Sequence, residues 1–183
     1  RPKALVWPPR PLEPVQPKSV LFLMPTWPDE FSAAGVRTGR LIDAARQWWG
    51  ASCKLAIASA TGRNQASQRL EKELGVHTHS LRLNSIGAMR EVLEATEPDV
   101  AVFDRFYLEE AHSHALRALR PSTLRILDMQ DSHALRLARQ RVIETGGSIL
   151  ESVQTFPGAD DPSLARELAA IYRSDLTLAC SPV

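Results

Sequence analysis

Seven residues of this chain are of types, and at spacings, that could do chemistry: Ala34, Gly35, Arg37, Asp104, Arg105, Asp131 and His133. The run Ser32-Ala33-Ala34-Gly35-Val36-Arg37 follows an apolar stretch, Val20 to Met24, and opens a helix. Small residues at such a turn bring backbone N–H groups and the positive end of the helix dipole to one place, where an anion can sit. Arg37 in the first helical turn has two readings: it meets an anion beside the Gly35 amide, or it pairs with Asp29, Glu30 or Asp104. His133 follows two acids, Asp128 and Asp131, and its imidazole is suited to act as a base or as a hydrogen-bond donor to a ligand oxygen. The alternative for His133 is a solvated residue in a first helical turn.

Other candidates carry less. His112 and His114 stand two apart, on different faces of a helix, and read as surface residues rather than metal ligands; His77 and His79 have no carboxylate nearby in sequence. No metal site is expected, and no cofactor. The chain has no Gly-x-x-x-x-Gly-Lys-Ser/Thr loop, no Gly-x-Ser-x-Gly elbow and no Gly-x-Gly-x-x-Gly fingerprint, which argues against P-loop hydrolase, hydrolase-elbow and NAD-dehydrogenase chemistry. It also lacks an Asp-x-Asp pair for a metal–nucleotide.

These side chains need a frame, and the sequence supplies one. After Lys18, short apolar runs alternate with amphipathic segments, the signature of repeated βα units and a parallel sheet. Six strands are predicted, over Val20 to Met24, Lys54 to Ser59, His77 to Leu83, Val100 to Asp104, Leu124 to Met129 and Leu176 to Cys180. Helices are predicted near Val36 to Trp49, Asn64 to Leu74, Ser85 to Ala95, Leu108 to Leu119, Ser132 to Glu144 and Pro162 to Tyr172. Gly50, Gly75 and Pro98 stop helices, while Asp131 or Ser132 and then Asp161, with Pro162 behind it, start them. Residues 145–161, with Gly146-Gly147 and Pro157-Gly158, read as an irregular surface loop. The fold class is α/β, a Rossmann-like parallel sheet of about six strands flanked by helices. Such sheets bind ligands beyond the carboxyl ends of their strands. Pro25 to Gly35, Asp104-Arg105 and Gln130 to His133 would therefore share one edge.

The chain of 183 residues suits one domain, with 44% apolar and 23% charged residues, and no run approaches the roughly 20 apolar residues of a membrane span. Net charge is +1, so direct RNA contact is not indicated, although 18 of the 22 basic residues are Arg, a type that favours bidentate contacts. Cys53 and Cys180 are too few for a disulfide framework and read as small buried hydrophobes, each in a core strand, which makes a reducing intracellular compartment the default; import into an organelle such as the mitochondrion is compatible with a chain that begins with Arg. Arg1 to Pro17 hold six prolines and read as an extended arm. That arm, residues 1–18, is either a tail or a strap on a partner with Leu5, Val6 and Trp7 as anchors. Residues 19–183 form the folded domain.

Four segments together resemble the amino-terminal half of a GT-B glycosyltransferase, in particular the retaining enzymes related to family 4. They are Ser32 to Arg37, Asp104-Arg105-Phe106, Leu127 to His133, and Arg166 to Asp175. The resemblance covers about Ser19 to Val183. It implies an acceptor-side Rossmann-like domain facing a second, donor-binding domain that begins near Ser181. It further implies that Ala34 and Gly35 approach the donor diphosphate, that His133 lies near the transferred sugar, and that Asp104 and Asp131 line the acceptor side. Its partners would be a nucleotide-sugar and an acceptor. A lone acceptor half lacks the groups that stabilise a departing nucleotide diphosphate. The alternative expectation is a non-catalytic, glycosyltransferase-derived subunit of a large assembly, such as an organellar ribosome, docking on protein neighbours through residues 1–18.

Overall fold

The computed structural model describes residues 16–179. The arm with Leu5, Val6 and Trp7, and Cys180 at the far end, lie outside those residues. Among the described residues the order is β1 (Ser19–Met24), α1 (Ala33–Trp49), β2 (Lys54–Ser59), α2 (Gln65–Leu74), β3 (His77–Ser80), α3 (Ile86–Thr96), β4 (Val100–Asp104), α4 (Phe106–Leu119), β5 (Leu124–Asp128), α5 (His133–Glu144), α6 (Ile149–Gln154), α7 (Pro162–Arg173) and β6 (Leu176–Leu178).

All strands are parallel and lie in the order β3-β2-β1-β4-β5-β6. This is the doubly wound, Rossmann-like order, whose direction of winding reverses between β1 and β4. Parallel strands covered on both faces must be apolar on both, which is why β1 and β4 are continuous apolar runs. Along β1, Leu21 and Leu23 enter a core shared with Met89 and Leu93 of α3, Leu108 and Leu116 of α4 and Ala170 of α7. Val20, Phe22 and Met24 point the other way, into a core with Ile42 and Ala45 of α1. Phe103 at the centre of β4 has no solvent exposure.

Local chemistry sets the ends of the elements. Gly75 ends α2 in the left-handed conformation at φ 57°, and Asn64 with Ser67 forms a capping box at its start. Ser132 caps α5 through the Leu135 N–H, and Asp161 caps α7 with Pro162 behind it. Between helices, the fully buried Glu109 of α4 accepts a bidentate pair from Arg173 of α7, with Arg173 Nε 3.0 Å from both carboxylate oxygens.

Several expectations need correction. β3 ends at Ser80: the Leu81 N–H still donates to the Ser59 carbonyl at 2.8 Å, but the buried Leu81 lies beyond the paired residues and the chain turns at Leu83-Asn84. Residues 145–161 are not wholly irregular: Ser148 and Glu151 make a capping box that starts α6. Cys53 is buried but immediately precedes β2 rather than lying in it. His112 is not at the surface; it is 1% exposed inside α4. The arm's last residues already belong to the body, since Pro17 is buried and the Lys18 N–H donates to Asp99 at 2.6 Å. No helix among the described residues is long and apolar enough to cross a membrane.

Candidate functional site

The carboxyl ends of β1, β4 and β5 open on a crevice of about 470 Å³ at the point where the sheet reverses its winding. Ala34, Arg37, Arg105, Asp131 and His133 line it, with Gln130 and Arg136. Five of the seven predicted residues are thus brought together. Asp104 lies at the buried end of β4 beside Arg105, and Gly35 is elsewhere.

Gly35 is a correction with a clear cause. Its N–H donates to Ser32 Oγ at 3.0 Å, and a Cβ there would stand 2.6 Å from the Asp29 nitrogen and collide with the Asp29 carbonyl oxygen. Glycine is needed for that close approach, not to cradle an anion. The loop amides expected to bind a ligand are taken as well: the Phe31 and Ser32 N–H groups donate to Asp29 Oδ1 at 2.8 and 2.6 Å. Those bonds, from Ser32 first and then Phe31, hold the Asp29 carboxyl below its ordinary pKa. What α1 leaves toward the crevice are its first two residues, Ala33 and Ala34, whose N–H groups have no acceptor within an α-helix.

Arg37 forms its ion pair with an acid outside those expected, while its charge also acts on Asp104. It reaches across to the buried Asp128 at the end of β5, with Nη2 2.7 Å and Nε 3.2 Å from Oδ1. Asp128 stands level with Asp104 in the β4–β5 register. Two carboxylates side by side in a buried strand end cannot both ionise cheaply. Burial, opposed by Arg105 and reinforced by Asp128, pushes the Asp104 carboxyl up to about 6.

Both strand ends are strained. Arg105 has φ 72° and ψ 161°, and Gln130 has φ 61°, backbone conformations that cost a non-glycine residue on the order of 1–3 kcal/mol. Compensation comes from specific bonds: Arg105 N–H to the Asp128 carbonyl at 2.8 Å, Arg105 Nη1 to the Tyr107 hydroxyl at 2.7 Å, and Gln130 Nε2 to Thr38 Oγ1 at 3.2 Å.

His133 is held rather than solvated, with 16% of its side chain exposed. Its ring meets Phe106 and Tyr107 edge-on, at centroid distances of 5.3 and 5.9 Å. Nδ1 lies 3.3 Å from Asp131 Oδ1 and 3.7 Å from Glu167 Oε1, yet makes a hydrogen bond to neither. Its acids are therefore Asp131 and Glu167, not Asp128. Glu167 of α7, 2% exposed, also accepts from Ser132 Oγ at 3.0 Å and from the His133 backbone N–H, so it ties α7 to the start of α5. Asp131 in turn accepts from Arg136 Nε at 2.7 Å.

Arg136 and Glu167 are site residues that the sequence reading does not find. Arg136 follows His133 by three residues, a helical spacing that puts the two on one face and is a usable signal. Glu167 stands 34 residues away, inside the run Arg166 to Asp175 that carries the resemblance, but nothing in that run ties it to His133. Among the described residues seven buried side-chain atoms lack a hydrogen bond; Asp104 Oδ1 and Arg105 Nε are two of them, facing each other as an ion pair at 3.7 Å, and His133 Nδ1 is a third, facing Asp131. Around the crevice itself, Arg105, Asp131, His133 and Arg136 bring charges of both signs together.

The fold and crevice together define a Rossmann-like parallel α/β protein with a polar, partly cationic site at its switch point. Comparison with known proteins adds little. No family model matches the chain, and no curated protein does. Among solved structures it is similar to a T.th. threonine deaminase, at 18% identity over 89% of this chain and 61% of that one, with a TM-score of 0.25. The chain spans about three fifths of that protein's length, and a likeness of that degree has no bearing on activity.

Proposed function

We propose that this chain is the acceptor-side half of a nucleotide-sugar-dependent glycosyltransferase of the GT-B type, related to the family 4 retaining enzymes, and that the crevice is where its substrates meet. The observation that carries this reading is the gathering of Arg105, Asp131, His133 and Arg136 around one crevice at the switch point. Polar donors and acceptors of both signs suit a ligand rich in hydroxyl groups with an anionic part. In transfer, an acceptor oxygen bonds to the anomeric carbon as the bond from that carbon to the diphosphate breaks, and the acceptor's proton leaves to a base. His133, with Asp131 and Glu167 on its Nδ1 side, takes a proton or donates a hydrogen bond to a sugar oxygen. Arg105 and the first amides of α1 meet negative charge, while Asp104 and Asp131 accept from hydroxyls. The donor-binding half would be supplied by sequence beyond residues 1–183.

Sugar transfer by the protein extended through its donor half tests this. His133→Ala is expected to lower turnover about 100-fold or more with an unchanged melting temperature. Transfer at full rate by that variant, or none from any nucleotide-sugar by the parent, would refute the assignment.

Large apolar side chains in solvent favour a second reading, a non-catalytic subunit of a large assembly. Phe31, Trp48 and Tyr172 are 93%, 84% and 87% exposed. Migration of the native protein with a ribonucleoprotein-sized particle supports that reading; migration as a free monomer opposes it.

A further inference from the structure

The two faces of β5 and β6 are covered differently. On the side of α4 and α7, Leu127 of β5 is sealed in the core that holds Leu116 and Ala170. On the opposite face Ile42 and Ala45 of α1 cover β1 and β4, but Leu124 of β5 and Leu176 of β6 stay 42% and 49% exposed. Strand alternation puts Leu124 on the same face as Ile126, and the register of β5 with β6 sets Ile126 beside Leu176. An all-parallel sheet normally has both faces covered, so this half of the sheet is left unfinished. Along it runs an apolar groove of about 180 Å³, lined by Phe22, Val102 and Ile126 from the strands and by Leu41, Trp48 and Trp49 from α1. Trp48 is 84% exposed at its rim.

We propose that a second copy of this chain covers the open face, in a two-fold dimer in which each Trp48 enters the groove of the other copy. The patch is self-complementary: an exposed indole stands beside a depression whose volume suits an aromatic side chain, as an isologous contact requires. It is also uncharged. A two-fold axis sets a patch against its own copy, so a charged patch would repel itself, whereas every residue that lines this groove is apolar.

The area matches what a dimer needs. Trp48 leaves about 200 Å² in water. Together with Trp49, Leu124, Ile126, Leu176 and Leu178 it makes an apolar patch of roughly 500 Å², large for a monomer. Standard interfaces are about 60% apolar and take about 800 Å² from each partner. An apolar centre of this size reaches that figure once its polar rim is added. The crevice stays open in such a dimer, because Trp48 stands about 20 Å along α1 from Ala34. The dimer and the proposed sugar transfer therefore stand or fall separately.

Sedimentation velocity of the full chain over roughly 1 to 100 μM tests the proposal. A concentration-dependent dimer is expected. Trp48→Asp and Leu124→Lys should each raise its dissociation constant about 100-fold or more. Both side chains are exposed in the monomer, so the variants should keep the parent's circular dichroism spectrum. With p-benzoyl-phenylalanine at position 48, irradiation should give a product of dimer size joined to the peptide of Ile126 or of Leu176 to Leu178. A chain that stays monomeric across the range would overturn the proposal. So would a dimer that Trp48→Asp leaves intact, a crosslink that maps elsewhere, or a monomer that binds phosphatidylcholine vesicles through Trp48, which would assign the face to lipid.

Discussion

His112 is the side chain whose setting is least comfortable. It is 1% exposed, and neither ring nitrogen has a hydrogen bond. Burial pushes its pKa down from 6.5 to about 4. The unfolded chain takes up a proton below 6.5 that the folded chain refuses, so this residue's contribution is intact above 6.5 and is lost as pH falls toward 4, by about 3 kcal/mol in all. Asp104 acts with the opposite sign. Its folded pKa of about 6 stands above the ordinary 3.8, so its contribution is intact below 3.8 and is lost as pH rises through 6, again by about 3 kcal/mol. The two slopes nearly cancel. Urea unfolding of His112→Leu should show stability rising as pH drops from 6.5 to 4, while Asp104→Asn should show it falling steeply. Parallel pH profiles for the two variants would contradict these assignments. At Gly35 the prediction is steric: Gly35→Ala drives a methyl into the Asp29 backbone and should cost about 1–3 kcal/mol, measured by the same unfolding.

At the scale of elements, the sequence is most legible where the signal is local. Apolar runs with caps and glycine stops place β1, β2, β4 and the helices around them, because strands buried on both faces and capped helices announce themselves within a few residues. β3 reads too long in sequence since Leu81 is core without being strand. α6 is hidden because Ile149, Leu150 and Val153 face solvent and mimic a loop, although its capping box, Ser148 with Glu151, is there to be read. The pairing of α4 with α7 is beyond any local reading, since Glu109 and Arg173 are 64 residues apart. That pair yields a sharp expectation. Arg173→Ala leaves the fully buried Glu109 uncompensated and should cost about 3–5 kcal/mol, whereas a double replacement of both by leucine should recover most of the loss. Thermal denaturation of the single and double variants checks it; equal losses in both would show that the ion pair is not the cause.

For the whole molecule, the doubly wound order puts the ends of three strands at one opening, and that is why residues scattered from Ala34 to His133 converge. The convergence of Arg37, Arg105, Asp131 and His133 is legible from the rule that ligands sit beyond strand carboxyl ends. What those residues touch is not: Arg37 is spoken for by Asp128, the loop amides by Asp29, and His133 by a glutamate from α7. The site that remains is narrower than the loop at Gly35, and it centres on Arg105 and His133. A nitrogen-15 NMR titration of the protein extended through its donor half with nucleotide-sugars, following the Arg105 Nε–H and His133 ring signals, tests that claim most directly. Both signals should shift saturably, together with the Ala33 and Ala34 amides. Shifts confined to the separate groove between α1 and α2, around Gly39 and Leu70, or no shift at all, would contradict it.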